Sequence, residues 1–182
     1  LKAMGLPMPR TIFAHGWWLV GESKMSKSLG NVVNPIDLAD RYGVDAFRYF
    51  LAAEMTLGQD AGFTEEGFIR RYNSDLANDL GNLLSRLVKM IARYADGRMP
   101  APAAGVPGAG EEAELWSLLQ GAVEKMESAA VSLRLDAGLG AVMHAIRATN
   151  RYVEHRAPWR AHKEGRAEDV ATSLYTACEA LR

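Results

Sequence analysis

The stretch that decides the fold is residues 64–94, which read TEEGFIRRYNSDLANDLGNLLSRLVKMIARY. Thr64 can cap a helix, acidic residues fill the first turn and Arg93 lies in the last, so this stretch predicts one long helix from Glu65 to Tyr94. At about 100° per residue, its apolar side chains fall within an arc of roughly 120°, the width of a buried stripe. The stripe consists of Leu76, Leu80, Leu83, Leu84, Leu87, Met90 and Ile91. The pattern therefore predicts a helix that buries one face in a mainly α-helical core.

A polar ridge runs along the same helix. Asn78, Asn82 and Arg86 recur every fourth residue, and they lie roughly 100° to 180° from the centre of the apolar stripe. We therefore expect these three side chains to face away from the core, either as an ordinary solvated surface or as a surface that reads a partner.

More helices are predicted downstream. Residues 96–110 are rich in proline and glycine and predict a loop, which separates the long helix from the rest of the chain. Helical patterns follow at residues 111–128 and 132–156, in a short helix that begins at Pro158, and from residue 167 onward. Because the chain begins at Leu1 without an initiator methionine and ends at Arg182 within a helix-like pattern, we expect it to be cut from a longer polypeptide.

The amino-terminal third has a different pattern. Residues 11–20 are rich in aromatic and β-branched types and predict one or two short strands that lead into a loop. Asn34 and Pro35 predict the start of a helix, Gly43 its end, and residues 44–54 a second helix. The predicted organisation is a small α/β module over residues 1–63, followed by an α-helical domain over residues 64–182 that is truncated at its carboxyl end.

Composition excludes several classes of protein. The net charge is −1 and the pI about 6.5, so no global positive field attracts nucleic acid, and any RNA contact must be local. Cys178 is the one cysteine, which excludes an internal disulfide and a zinc site built on paired cysteines. No apolar run approaches roughly 18 residues, and no leader pattern is present at the start. We therefore expect a cytoplasmic protein with no metal site and no membrane partner.

The strongest chemical signal is the string KMSKS at residues 24–28, which His15-Gly16 precedes and LGN follows. Two lysines three residues apart in a glycine-flanked loop can bring two ammonium groups to one polyphosphate and neutralise charge on a leaving pyrophosphate. A solvated lysine-bearing turn is the alternative. The string resembles the second signature of class I aminoacyl-tRNA synthetases, and residues 15–49, 73–86 and 150–159 resemble the methionyl-tRNA synthetase family more than its isoleucyl, valyl, leucyl or cysteinyl relatives.

The resemblance implies roles for the signature loop. Lys24 and Lys27 would contact the ATP phosphates as catalytic groups that stabilise the transition state of aminoacyl-adenylate formation, with Lys27 the larger contributor. Met25, Ser26 and Ser28 would complete the ATP-binding loop. ATP with Mg²⁺ and methionine would be substrates of the full enzyme, whose Rossmann-type catalytic half has no match in this chain, so the chain alone should be inactive.

The resemblance also implies a partner, tRNA(Met) with its CAU anticodon. It assigns Asn82, Arg86 and Trp159 to the anticodon bases, with Asn78 as a further candidate. Trp159 follows Pro158 at a predicted helix junction, where an indole can stack on a base or can instead fill a gap in the core. Residues 141–163 contain five basic residues and one acidic residue. This local positive charge is suited to binding the phosphate backbone of an RNA.

Other interpretations of the sequence remain. A non-catalytic tRNA-binding module and a plain helical structural domain are the alternatives from other classes. We expect the remaining tryptophans, Trp17, Trp18 and Trp116, to be packing residues. Asp60 could support the signature loop, but the sequence does not favour this role.

Overall fold

A computed structural model describes residues 2–9, 11–21, 23–26, 30, 32–102 and 110–182. The amino-terminal module holds a short 3₁₀ helix, three strands and two helices. They are the 3₁₀ helix Lys2–Met4, β1 Trp18–Val20, β2 Ser23–Lys24, α1 Pro35–Tyr42, α2 Val44–Glu54 and β3 Ala61–Gly62. The central strand β1 pairs antiparallel with β2 and parallel with β3, so the sheet order is β2-β1-β3.

The two helices of this module begin and end as predicted. The Asn34 side chain accepts a hydrogen bond from the Ile36 backbone N–H at 3.1 Å, and Pro35 is the first residue of α1. Gly43 separates α1 from α2 with φ of +91°, a conformation that side-chain-bearing residues rarely adopt. The chain can therefore turn between the two helices without strain.

The long predicted helix is a rod made of three consecutive parts, α3 Glu65–Arg71, a π-helical segment Tyr72–Gly81 and α4 Asn82–Tyr94. Thr64 caps it as expected, with its hydroxyl accepting from the Gly67 N–H at 3.0 Å. The prediction of an unbroken α-helix is wrong over Tyr72–Gly81, because hydrogen bonds there span five residues and each turn is wider.

The wider turns also change the buried stripe. Leu83, Leu87 and Met90 are buried as predicted, but Leu84 is 53% exposed. A regular α-helix would place Leu80 and Leu84 on one face. The π-helical segment shifts that register, so Leu80 packs on the core while Leu84 turns towards solvent.

The carboxyl-terminal part is a bundle of four helices packed against the rod. They are α5 Glu111–Ser132, α6 Leu135–Arg156, α7 Pro158–Lys163 and α8 Ala167–Glu179. The main hydrophobic core lies between these helices and α4, and includes the fully buried side chains of Leu83, Leu174 and Val153. The predicted fold class, mainly α-helical with a small α/β module, is confirmed.

A second, aromatic core stabilises the amino-terminal module. Phe50 of α2 lies 5.7 Å from Phe63 and 5.3 Å from Phe68 between ring centroids, both with edge-to-face geometry. Phe68 belongs to α3, so this core also includes the first turns of the rod. The division of the chain into domains at residues 63 and 64 stays a prediction. Across the described ranges, no helix is both long and apolar enough to cross a membrane.

Candidate functional site

The signature string begins at the end of the β1–β2 hairpin. Gly21 forms the turn with φ of +64°, Lys24 is the last residue of β2, and Met25 and Ser26 follow it half-buried. The exposed Lys24 ammonium lies 4.2 Å from the ring centroid of Trp17. Lys27 and Ser28, the other predicted ATP-binding residues, lie outside the described residues.

The hairpin presents two different faces. Successive side chains of a strand alternate between faces, and Leu19 pairs directly with Lys24. Trp18 and Met25 pack into the aromatic core on one face. Trp17 and Lys24 therefore lie on the other, where Trp17 is 59% exposed. The expectation that Trp17 packs in the interior is wrong, whereas the same expectation for Trp18 is confirmed.

The base of the hairpin is held by the loop before β3, in which Asp60 has a supporting role that the sequence did not favour. The Asp60 carboxylate accepts a hydrogen bond from the Trp17 backbone N–H at 2.7 Å, and the Trp17 carbonyl accepts from the Ala61 N–H at 2.9 Å. A Cβ added to Gly16 would lie 1.9 Å from the Gln59 carbonyl oxygen. Only glycine lets the two backbone segments approach this closely.

Replacing Gly16 by alanine is expected to push β1 away from the β3 loop and to lower the free energy of unfolding by about 1–3 kcal/mol. Chemical denaturation of both chains measures the difference. Gly62→Ala is the matched control, because the space around Gly62 is open. Equal stability of the Gly16→Ala and Gly62→Ala chains would contradict the close approach.

The predicted anticodon residues lie on a different part of the molecule, and the structure brings two of them together. The Arg86 guanidinium carbon is 5.9 Å from the Trp159 ring centroid, within the range of a cation–π contact. Arg86 also forms an ion pair of 2.6 Å with Glu154 of α6. Arg86 was predicted to face away from the core, and Trp159 and Glu154 cover it there and leave it half-buried.

Trp159 lies at the sharp helix junction that was predicted. Ala157 has φ of +44° and ends α6, and the buried Pro158 begins α7. The half-buried indole packs partly on the main core and partly faces outward towards Arg86. Asn82, at the start of α4, and Asn78, in the π-helical segment, are both exposed. The surface formed by Asn78, Asn82, Arg86 and Trp159 is called the rod surface below.

The predicted basic patch around Trp159 is partly neutralised by acids from other elements. Arg147 contacts Asp79 at 2.7 Å and Asp75 at 3.2 Å, and Arg156 contacts Glu112 at 3.3 Å. These acids are distant in sequence, so a local count of charges overstated the positive charge on the folded surface. Arg160 and Lys163 are the exposed cations of α7, next to Trp159 in the chain.

Asp75 is a polar residue whose importance the sequence analysis missed. It is 5% exposed, and its carboxylate accepts hydrogen bonds from Tyr49 at 2.8 Å, Ser74 at 3.0 Å, Arg147 at 3.2 Å and Arg71 at 3.3 Å. Burial and the hydrogen bond to Asp75 raise the pKa of Tyr49, so its hydroxyl stays protonated and donates. The network joins α2, the π-helical segment and α6.

Comparison with known protein families gives a match to the model described as tRNA synthetases class I (M), over residues 1–88. The methionine–tRNA ligase of Halalkalibacterium halodurans is 43% identical over 183 aligned residues, which cover all of this chain and 27% of that protein. The methionine–tRNA ligase of Bacillus subtilis is 42% identical, with the same coverage. The chain thus spans about a quarter of the length of these curated relatives.

Solved structures agree with the sequence matches. Mycobacterium tuberculosis methionyl-tRNA synthetase in complex with methionyl-adenylate superposes with a TM-score of 0.89 at 37% identity, over 99% of this chain and 35% of that one. The free form of the same enzyme gives a TM-score of 0.84 at 33% identity, over 99% and 34%. The solved structures that match are thus methionyl-tRNA synthetases, as are the relatives matched by sequence.

Proposed function

We infer that this chain is part of a methionyl-tRNA synthetase, and we propose that it supplies the ATP-phosphate loop and the anticodon-binding surface of that enzyme. The complete enzyme activates methionine with ATP, accompanied by Mg²⁺, and transfers it to tRNA(Met). The catalytic half that binds methionine and adenosine belongs to the rest of the polypeptide, so the isolated chain is inactive. Its place of action is the cytoplasm.

The observation that carries the proposal is the position of Lys24. Its ammonium is exposed at the end of a hairpin whose base is held by Asp60 and whose other face is buried in the aromatic core. A charge held in this way needs little reorganisation when negative charge grows on a polyphosphate, which is how preorganised groups lower a barrier. Lys27, with Met25, Ser26 and Ser28, completes the loop in this proposal.

The rod surface is the proposed contact with the CAU anticodon. Asn78 and Asn82 carry amide groups that can donate to and accept from base edges, and the exposed part of Trp159 offers a face for stacking. Arg86 lies beside Trp159 and can address a base edge when it exchanges its contact with Glu154 for RNA. Phosphate contacts come from the exposed Arg160 and Lys163 rather than from Arg147 or Arg156.

In the complete enzyme, Trp159→Ala is expected to weaken binding of a CAU anticodon stem-loop by about five- to one-hundred-fold, the loss of one base stack of roughly 1–3 kcal/mol. Methionyl-adenylate formation without tRNA should stay unchanged. Titration of a labelled stem-loop and pyrophosphate exchange measure the two effects.

The control for this experiment is Trp159→Phe, which keeps an aromatic face and should retain most of the affinity. A stem-loop with one altered anticodon base should already bind the unmodified enzyme weakly. The Trp159→Ala substitution should weaken the binding of this altered stem-loop only slightly further. If adenylate formation falls as much as stem-loop binding, the assignment of Trp159 to the anticodon is wrong.

The remaining alternatives are separated by three assays on the complete protein, namely tRNA charging, methionyl-adenylate formation and tRNA binding. Another class I synthetase would charge a tRNA other than tRNA(Met) when purified tRNAs are compared. A non-catalytic tRNA-binding module would bind tRNA(Met) but form no methionyl-adenylate. A structural domain would bind no tRNA even at low salt, where phosphate contacts are strongest.

A further inference from the structure

Trp17 is an unusual tryptophan in this molecule because its backbone is held rigidly while its side chain stays open. Its N–H donates to Asp60 at 2.7 Å and its carbonyl accepts from Ala61 at 2.9 Å. The preceding Gly16 packs against the Gln59 backbone. The indole is nevertheless 59% exposed, so this anchoring does not serve to bury an apolar ring.

The register of the hairpin places this ring beside the first lysine of the signature string. Leu19 pairs with Lys24, and Trp17 is two residues before Leu19 on the same face, which makes it the diagonal cross-strand neighbour of Lys24. The Lys24 ammonium lies 4.2 Å from the ring centroid, well inside the limit of about 6 Å for a cation–π contact.

We propose that Trp17 is a positioning residue that confines the Lys24 ammonium over its ring and so presents it to the ATP phosphates. This inference rests on the proposed function of the loop. A lysine has a flexible four-carbon stem, and its ammonium loses rotamer freedom on binding a phosphate. A ring below the ammonium reduces that loss.

A cation–π contact differs from simple packing in its dependence on the charge of the ring face. Fluorine atoms withdraw electron density from the indole while changing its shape little, so successive fluorination weakens the attraction for a cation in steps. Trp17 in the complete enzyme is therefore replaced by mono-, di-, tri- and tetrafluorotryptophan, and kcat/KM for ATP is measured by pyrophosphate exchange. The same series at Trp116, in α5 of the bundle, is the matched control.

The expected result is a graded fall in kcat/KM for ATP with each fluorine at Trp17, reaching about two- to fivefold, and a rise in KM larger than the change in kcat. The Trp116 series should be flat. In a Lys24→Gln background, which is expected to be slow from the start, the Trp17 series should also be flat, because no ammonium remains over the ring.

The other outcomes distinguish this inference from the proposed function. A flat or rising Trp17 series, together with a slow Lys24→Gln enzyme, overturns the positioning role and leaves the loop function intact. A slope that persists in the Lys24→Gln background also overturns it, since the ring would then act on something other than Lys24. A Lys24→Gln enzyme as fast as the unmodified one overturns the loop function and the positioning role together.

Discussion

Replacing Lys27 by alanine in the complete enzyme is expected to slow methionyl-adenylate formation by about 100- to 1,000-fold. In the proposed function, the substitution removes one positive charge from the site where negative charge develops on the leaving pyrophosphate, and loss of such a charge typically raises the barrier by about 3–4 kcal/mol. Pyrophosphate exchange measures the rate directly, and KM for methionine should change little.

Two further variants test the specificity of this effect. Lys24→Ala should also slow the reaction, but by less than Lys27→Ala, since the resemblance makes Lys27 the larger contributor. Lys89→Ala removes an exposed lysine from α4, far along the chain from the loop, and should leave the rate unchanged. An exchange rate that survives Lys27→Ala would remove the catalytic role assigned to the loop.

Local chemistry explains why much of the fold was predictable from sequence. The Asn34 and Thr64 caps act through hydrogen bonds two and three residues away, and the Gly43 break depends on one residue's backbone angle. In each case the interacting groups lie within a few residues of one another, so the sequence alone contains the information. The helix bounds at residues 44–54, and the junction before Pro158, followed from signals of this kind.

Contacts between segments that are distant in the chain explain where the structure differs from the predictions made from sequence. Arg147 and Asp75 are 72 residues apart, so no local pattern could show that the arginine is already paired. The exposure of Trp17 depends on which face of a three-stranded sheet packs against α2, and composition carries no information about that choice. The sequence signal that could have pointed to Asp75 is an aspartate in the middle of a predicted helix, where an aspartate that caps nothing is unfavourable.

The π-helical segment coincides with contacts between distant elements. Tyr49 of α2 and Arg147 of α6 both reach Asp75, and both bonds form within Tyr72–Gly81, where the turns are wider. Asn82, the first residue of α4, donates its N–H to the Ala77 carbonyl five residues back. The orientation of Asn78 and Asn82 on the rod surface therefore depends on a geometry that a count of 100° per residue does not contain.

Asp75→Ala is expected to lower the free energy of unfolding of this chain by about 3 kcal/mol. Removing a buried carboxylate leaves Tyr49 without its acceptor and removes one ionic partner from Arg71 and Arg147. Arg71 still pairs with Glu54, and Arg147 still pairs with Asp79. The expected loss of stability is therefore near the lower end of the range for broken buried ion pairs. Denaturant titration followed by circular dichroism measures the change.

The matched control is Asp79→Asn, because Asp79 lies one turn further along the rod, is more exposed than Asp75 and, among the described residues, has Arg147 as the partner of its side chain. It should cost about 1 kcal/mol or less, since a partly solvated ion pair contributes little. Tyr49→Phe removes one donor and should fall between the two. If Asp75→Ala and Asp79→Asn prove equally mild, the buried carboxylate does not hold α2, the π-helical segment and α6 together, and the orientation of the rod surface must have another origin.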